Sequence, residues 1–139
     1  MANALQVAIV TPDRVLLEIE STSVVAPGAL GSFGVLPNHA PLLAELGVGE
    51  VRLRDRQGEE HRFAVQRGFL QVSGNRVTIL ADAAERAEEI DIETARTQLA
   101  AAEEALRQAR TRYDDRAASE AEAAAEWARS RLRVAGFLK

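Results

Sequence analysis

The sequence predicts an α+β protein: an N-terminal antiparallel β-sandwich over residues 1–84, followed by a C-terminal antiparallel α-helical hairpin over residues 85–139. Three observations carry this reading. All four prolines (Pro12, Pro27, Pro37, Pro41) fall in the first third of the chain, and no glycine occurs between Gly74 and Gly136. Apolar residues alternate with period two up to about residue 84 and recur at steps of three and four beyond it. From Ala83 onward the composition shifts to Ala, Glu and Arg, which are good helix formers.

The strands follow in order. Leu5–Val10, Val15–Ile19 and Ser23–Ala26 read as three early strands. In Glu50–Arg54, Val51 and Leu53 share one face while Arg52 and Arg54 take the other, and Phe63 and Val65 repeat the pattern after a Gln57-Gly58 turn. A second hairpin joins Phe69–Val72 to Arg76–Leu80 through Ser73-Gly74-Asn75. No helical crossover separates these strands, which favours an antiparallel sandwich or barrel over a parallel sheet.

Ile92, Ala95, Leu99, Ala102, Leu106, Ala109 and Tyr113 then form a seam along one long helix, with Asp91 as its N-cap. Tyr113-Asp-Asp-Arg116 interrupts the pattern, Ser119 with Glu122 forms a capping box expected to start the second helix, and Gly136 is placed to end it. Acids lead the helices (Glu88, Glu89, Glu93; Glu120, Glu122) and arginines close them (Arg107, Arg110; Arg129, Arg133), as the helix dipole favours. The second seam is mostly alanine (Ala121, Ala125, Ala128), with Leu132 its one large residue, so the hairpin is expected to open easily. A buried methyl stabilises by only about 0.8 kcal/mol, against roughly 1.5–3 kcal/mol for a whole Leu.

Function classes are narrowed largely by exclusion. A net charge of −4 gives no footprint for nucleic acid. The chain has no cysteine, so disulfides, thiolate metal sites and cysteine nucleophiles are ruled out. Residues 1–10 carry no basic leader, and no apolar run approaches the roughly 20 residues that span a bilayer, so membrane association is expected only through a partner. Gly28–Gly34 lacks the Lys and Ser/Thr of a phosphate loop and reads as a loop whose glycines supply positive φ. His39 and His61, the only histidines, stand far apart in sequence, so neither a catalytic nor a metal site is expected; His39 reads as a structural or interface residue. Glu85, Glu88, Glu89 and Asp91 read as helix-start acids rather than an acid/base pair. Arg129, Arg131 and Arg133 are either a patch for an acidic partner or a solvated helix end in which Glu126 pairs with Arg129. Trp127 reads as an interface residue. A β-domain with a labile helical hairpin and no catalytic equipment points to an assembly or regulatory subunit.

Gly31-Ser-Phe-Gly-Val-Leu-Pro-Asn-His-Ala-Pro-Leu-Leu43 closely resembles the G-x-x-G-x-x-P-x-H-A-P-L-L signature of the epsilon subunits of bacterial F-type ATP synthases. In family order follow Gly49, Gly68-Phe-Leu-Gln-Val72 (with Arg67 where the motif has a glycine), Val77-Thr-Ile-Leu-Ala-Asp82 and a C-terminal Leu132-Arg-Val134. The resemblance implies a ten-stranded sandwich that grips the gamma subunit and sits on the c-subunit ring, with Ser32, Phe33, His39, Pro41 and Leu42 at those contacts; the family often has an acid where this chain has Ser32. It further implies a mobile hairpin that restrains ATP hydrolysis by reaching into the alpha/beta catalytic hexamer, with Arg129 and Arg133 facing the beta subunit. Localisation would then be peripheral, at the cytoplasmic face of the bacterial plasma (inner) membrane. Some members bind ATP through a motif like I/L-D-x-x-R-A; Asp91 and Ala95 match it, but Thr94 stands at the arginine position, so ATP binding is expected to be weak or absent and no cofactor is expected. The competing readings are a free-standing sandwich adaptor whose hairpin binds other helices, and a metal-dependent sandwich enzyme.

Overall fold

Strict alternation along Leu5–Val10 (β1) turns Leu5, Val7 and Ile9 inward, and the same rule builds the rest of the N-terminal unit. A computed structural model describes residues 3–138, in two units that divide between Ala87 and Glu88. After β1 come β2 (Val15–Gly28), β3 (Gly31–Val35), β4 (Leu42–Asp55), β5 (Glu60–Ser73) and β6 (Arg76–Arg86). The ladder order is β1-β6-β5-β4-β2-β3, and β1 pairs also with β2, so the sheet closes on itself and leaves β3 at an edge. Phe63, Val65, Leu70, Val72, Val77 and Ile79 fill the enclosed space with the apolar face of β1.

The strands differ from the sequence reading in three ways. Val15–Ile19 and Ser23–Ala26 belong to one bent strand, β2, whose register with β4 shifts between Ser21 and Ser23 and again between Val25 and Gly28. Likewise Phe63, Val65 and Phe69–Val72 lie on a single strand, β5. Second, Gly31–Val35 is a strand paired with Val24–Gly28, not a loop, and of Gly28, Gly31 and Gly34 only Gly31 has positive φ. Third, the sheet is not wholly antiparallel: β1 runs parallel to β6, from Gln6 opposite Arg76 to Val10 opposite Leu80. That pair is the closure, made between the first and last strands, where no hairpin dictates direction.

The long strands bend where their ladders break. Pairing of β4 with β5 stops after Leu46 opposite Gly68 and resumes at Val48 opposite Gln66, and β6 skips Asp82 at the same level. Counting the halves of the interrupted strands β2, β4, β5 and β6 separately gives the ten segments of a sandwich. Gly68, at φ +119°, lies at the bend, and a Cβ built there would stand 1.9 Å from the Leu80 carbonyl oxygen. Only glycine fits. At the far end of β6 the Arg86 guanidinium donates to the Leu16 carbonyl at 3.1 Å and stacks over the Phe63 ring.

A 3-10 turn (Ala87–Glu89) spans the division, and the second unit holds α1 (Ile92–Thr111) and α2 (Asp115–Val134). Ala95, Ala102 and Ala109 are buried opposite Ala121, Ala125, Ala128 and Leu132, as the two seams require. Tyr113 leaves the seam and is 91% exposed. The expected capping box at Ser119 is not used: Asp114 caps α2 by accepting from the Ala117 amide at 3.0 Å, and Ser119 lies inside the helix. The first-turn acid of α2 is therefore Asp115 rather than Glu120 or Glu122. Asp114 wins because its own amide already closes α1, donating to the Ala109 carbonyl at 2.9 Å while Tyr113 donates to Arg110. This is a Schellman end, and Phe137 to Leu132 with Gly136 to Arg133 repeats it at the end of α2. The C-terminal copy has glycine at the left-handed position (φ +86°), whereas α1 has Tyr113 there at φ +55°. No helix among the described residues is long and apolar enough to cross a membrane.

Two substitutions test this account by thermal and urea unfolding. Gly68→Ala should destabilise the β-unit by roughly 3 kcal/mol or more, because backbone, not a movable side chain, blocks the new methyl. Tyr113→Gly should stabilise the hairpin by about 0.5–1 kcal/mol, the left-handed penalty less the entropy cost of glycine.

Candidate interaction surfaces

The segment carrying the Gly31–Leu43 motif is β3, a turn and the start of β4. Ser32 is exposed on the edge strand opposite Pro27, while Phe33 and Leu42 turn partly inward and pack against the core. The turn is closed by the His39 amide donating to the Leu36 carbonyl at 3.2 Å, with Asn38 left-handed at φ +68°. A side-chain staple holds it to the β5–β6 turn: the Asn38 amide donates to Asn75 Oδ1 at 2.5 Å, and Asn75 Nδ2 returns a bond to Asn38 Oδ1 at 3.2 Å. His39 Nδ1 lies 2.6 Å from the Ala40 carbonyl oxygen, which only accepts, so Nδ1 is the donor of this bond. Of the five motif residues singled out in the sequence, Ser32 and Pro41 are exposed, His39 is half-buried, and Phe33 and Leu42 support them from beneath.

The turn between β4 and β5 holds a cluster that sequence spacing did not reveal. Asp55 Oδ1 accepts from the amides of Gln57 and Glu59, each at 2.9 Å, and Oδ2 lies 3.0 Å from His61 Nε2. Asp55, Glu59 and His61 thus stand together, their donor atoms all within 4.8 Å. The signal was present as D-x-x-x-E-x-H but is legible only once the turn folds it over. The His61 hydrogen bond, followed by those from the Glu59 and Gln57 amides, holds the Asp55 carboxyl below the ordinary carboxylate range. The arrangement acts as a clamp on the turn. Arg54 reinforces it by donating to the Gly58 carbonyl at 2.9 Å.

In the helical unit, Asp91 accepts from the Thr94 amide at 3.1 Å, and this bond depresses its carboxyl. Ala95 is fully buried in the seam, so one of the two ATP-motif matches caps a helix and the other packs it. Arg96 pairs with Glu93 at 3.3 Å and lies over the Phe137 ring. Arg129 does not pair with Glu126; its guanidinium lies 3.7 Å from Glu103 of α1, across the hairpin. Arg133 is exposed in the last turn of α2, but Arg131 is buried, donating to Gln98 Oε1 at 2.5 Å and lying beside the half-buried Trp127 ring. Sequence reasoning grouped the three arginines; the structure separates one as internal, because an i+2 step turns it toward α1.

These surfaces are built for contact: turns tied by side chains, an exposed edge strand, and a hairpin bridged by the Arg129–Glu103 ion pair and the Arg131–Gln98 hydrogen bond. They define a two-unit interaction protein, a β-sandwich followed by a helical hairpin. Residues 4–87 match the family model described as ATP synthase, Delta/Epsilon chain, beta-sandwich domain. The chain is 48% identical over 135 residues to the ATP synthase epsilon chain of Moorella thermoacetica, covering 97% of this chain and 98% of that one. It is 43% identical to the epsilon chain of Geotalea uraniireducens, covering 97% and 96%. Its fold matches a chain in the mitochondrial ATP synthase of Euglena gracilis with a TM-score of 0.82 at 20% identity, covering 94% of this chain and 80% of that one. The chain belongs to the ATP synthase epsilon-chain family.

Asp55 offers a direct check on the clamp. A carboxyl depressed in the folded state contributes stability above its unfolded value of about 3.9, and loses that contribution as pH falls through the folded value. Asp55→Asn should therefore lower the thermal midpoint at pH 7, and the gap from the parent protein should narrow as pH is taken from 5 toward 2 in parallel melts.

Proposed function

We propose that this chain is the central-stalk rotor subunit of a proton-transporting F-type ATP synthase: it couples proton translocation to ATP synthesis and restrains ATP hydrolysis through its C-terminal helices. The observation that carries the reading is the length of the match. Identity of 48% extends over 97% of the chain, so it includes the hairpin as well as the sandwich.

The β-unit grips the gamma subunit and rests on the c ring through Ser32, Phe33, His39, Pro41 and Leu42, with the Asn38–Asn75 staple keeping that turn rigid. The hairpin is the mobile part. Its seam buries mainly alanine, so each contact contributes little, and the Arg129–Glu103 ion pair across it is half-exposed. Opening frees Arg129 from Glu103 and exchanges that partner for acids of the beta subunit, with Arg133 on the same face of α2. ATP binds weakly or not at all, because Thr94 lacks the bidentate phosphate contact of an arginine and Arg96 is engaged by Glu93 and Phe137. The complex places the chain at the cytoplasmic face of the bacterial plasma (inner) membrane, as a peripheral subunit.

Removing residues 88–139 tests both halves of the proposal. The truncated chain should still co-purify with gamma in the membrane-bound complex, while ATP hydrolysis rises several-fold over the complex with the full chain. Failure to co-purify would favour a free-standing adaptor; unchanged or lower hydrolysis would remove the inhibitory role.

A further inference from the structure

Among the described residues, four other than glycine adopt positive φ: Asn38, Arg67, Asn75 and Tyr113. The asparagines need no special account, since asparagine visits this region readily and the two side chains bond to each other. Tyr113 ends a helix. Arg67 is different. It lies within β5 at φ +52°, between Gln66 and Gly68, where a glycine would meet the backbone demand without steric cost. Its side chain is exposed and makes no hydrogen bond or ion pair with the described residues, even though β6 carries Asp82 at the same level of the ladder. Within the unit, arginine here brings strain and no compensating contact. Such strain persists where a residue serves something outside its own fold.

The neighbouring surface indicates what that is. Two residues on, Phe69 is 50% exposed directly opposite Leu80, itself 48% exposed, and on β4 Leu43 is 69% exposed on the same outward face. An apolar strip thus crosses three strands with an unpaired guanidinium at its border, the pattern of an anchor cluster with a charged rim. Near Arg67 the border carries two acids, Glu45, opposite Phe69, and Asp82. A partner acid is therefore disfavoured beside Glu45 and Asp82 and favoured at Arg67, which fixes register at this end of the strip.

We infer that Arg67 is a specificity-determining contact residue, pairing with a carboxylate of the gamma subunit that lies beside apolar side chains seated on the Leu43–Phe69–Leu80 strip. The inference rests on the rotor reading above and deepens it by naming the side chain that sets the register of docking. In the bound state the guanidinium supplies a bidentate, partly desolvated ion pair.

The test is the affinity of the full-length chain for a complex of alpha, beta and gamma subunits that lacks it, measured against salt. Arg67→Gly removes the strain and the charge, Arg67→Asn keeps a residue that tolerates left-handed backbone, and Arg67→Lys keeps the charge. Both uncharged variants should melt higher than the parent yet bind roughly tenfold more weakly, with a shallower salt dependence, and Arg67→Lys should recover part of the loss. Phe69→Ala should weaken binding at every salt concentration. If both uncharged variants bind as tightly as the parent, Arg67 has no such role and the inference is wrong. If the parent chain itself does not bind, the rotor reading falls, and this inference with it.

Discussion

The β-unit depends on one close approach. At Gly68 the backbone of β5 comes so near β6 that a single added carbon would meet the Leu80 carbonyl oxygen at 1.9 Å. This contact lets β5 turn from one layer of the sandwich to the other without losing β6, since pairing continues on both sides of the break. Because β6 follows the bend, its start lies alongside β1, and β1 in turn reaches β2 to close the sheet. Closure removes the open edges that would otherwise template pairing with other chains, leaving the short β3 as the exposed one. The strain at Arg67 is adjacent to the same bend.

Rigidity is distributed unevenly. In the β-unit the interior holds large side chains such as Phe63, Leu70 and Ile79, each fully buried, and the turns at its ends are tied by side-chain bonds: Asn38 with Asn75, Asp55 with His61. In the hairpin the buried positions of α1 are alanines, so the same number of contacts removes far less apolar surface from water. Its larger buried side chains, Leu132, Val134 and Arg131, are gathered near the C-terminal end of α2. The turn end carries the strained Tyr113 instead. The hairpin is thus packed most weakly at its turn end and most firmly near the end of α2.

Charge follows the same division of labour. Across the β4–β5 hairpin, Arg62 donates twice to Glu50 Oε2, at 2.6 and 3.0 Å, and Arg54 and Arg56 reach Glu60 and Glu20. These pairs fix strands that are already covalently or ladder neighbours. On the helices Arg96 pairs with Glu93 and Arg116 with Glu120 along one helix, while Arg129 with Glu103 and the Arg131 hydrogen bond to Gln98 bridge the two. Exposed pairs of this kind contribute about 0–1 kcal/mol, too little to lock the hairpin.

The sequence by itself determined the local elements: the β-to-α change at the end of the glycine- and proline-bearing segment, the hairpin turns at Gln57-Gly58 and Ser73-Asn75, the alternation of Val51 and Leu53 with Arg52 and Arg54, the Asp91 cap and both alanine seams. Each depends on neighbours within one or two turns of chain, where propensity and periodicity act directly. The motif around Gly31–Leu43 was legible too, as a pattern, though not as a strand. Only the tertiary structure decided the parallel closure of β1 on β6, the union of early segments into one bent β2, the choice of Asp114 over Ser119 as a cap, and the gathering of Asp55, Glu59 and His61. The reason is common to these: each turns on a competition settled by chain direction or close packing, which no single window of residues records. Arg67 shows the difference most clearly, since its strain exists only because the chain bends at Gly68 against Leu80.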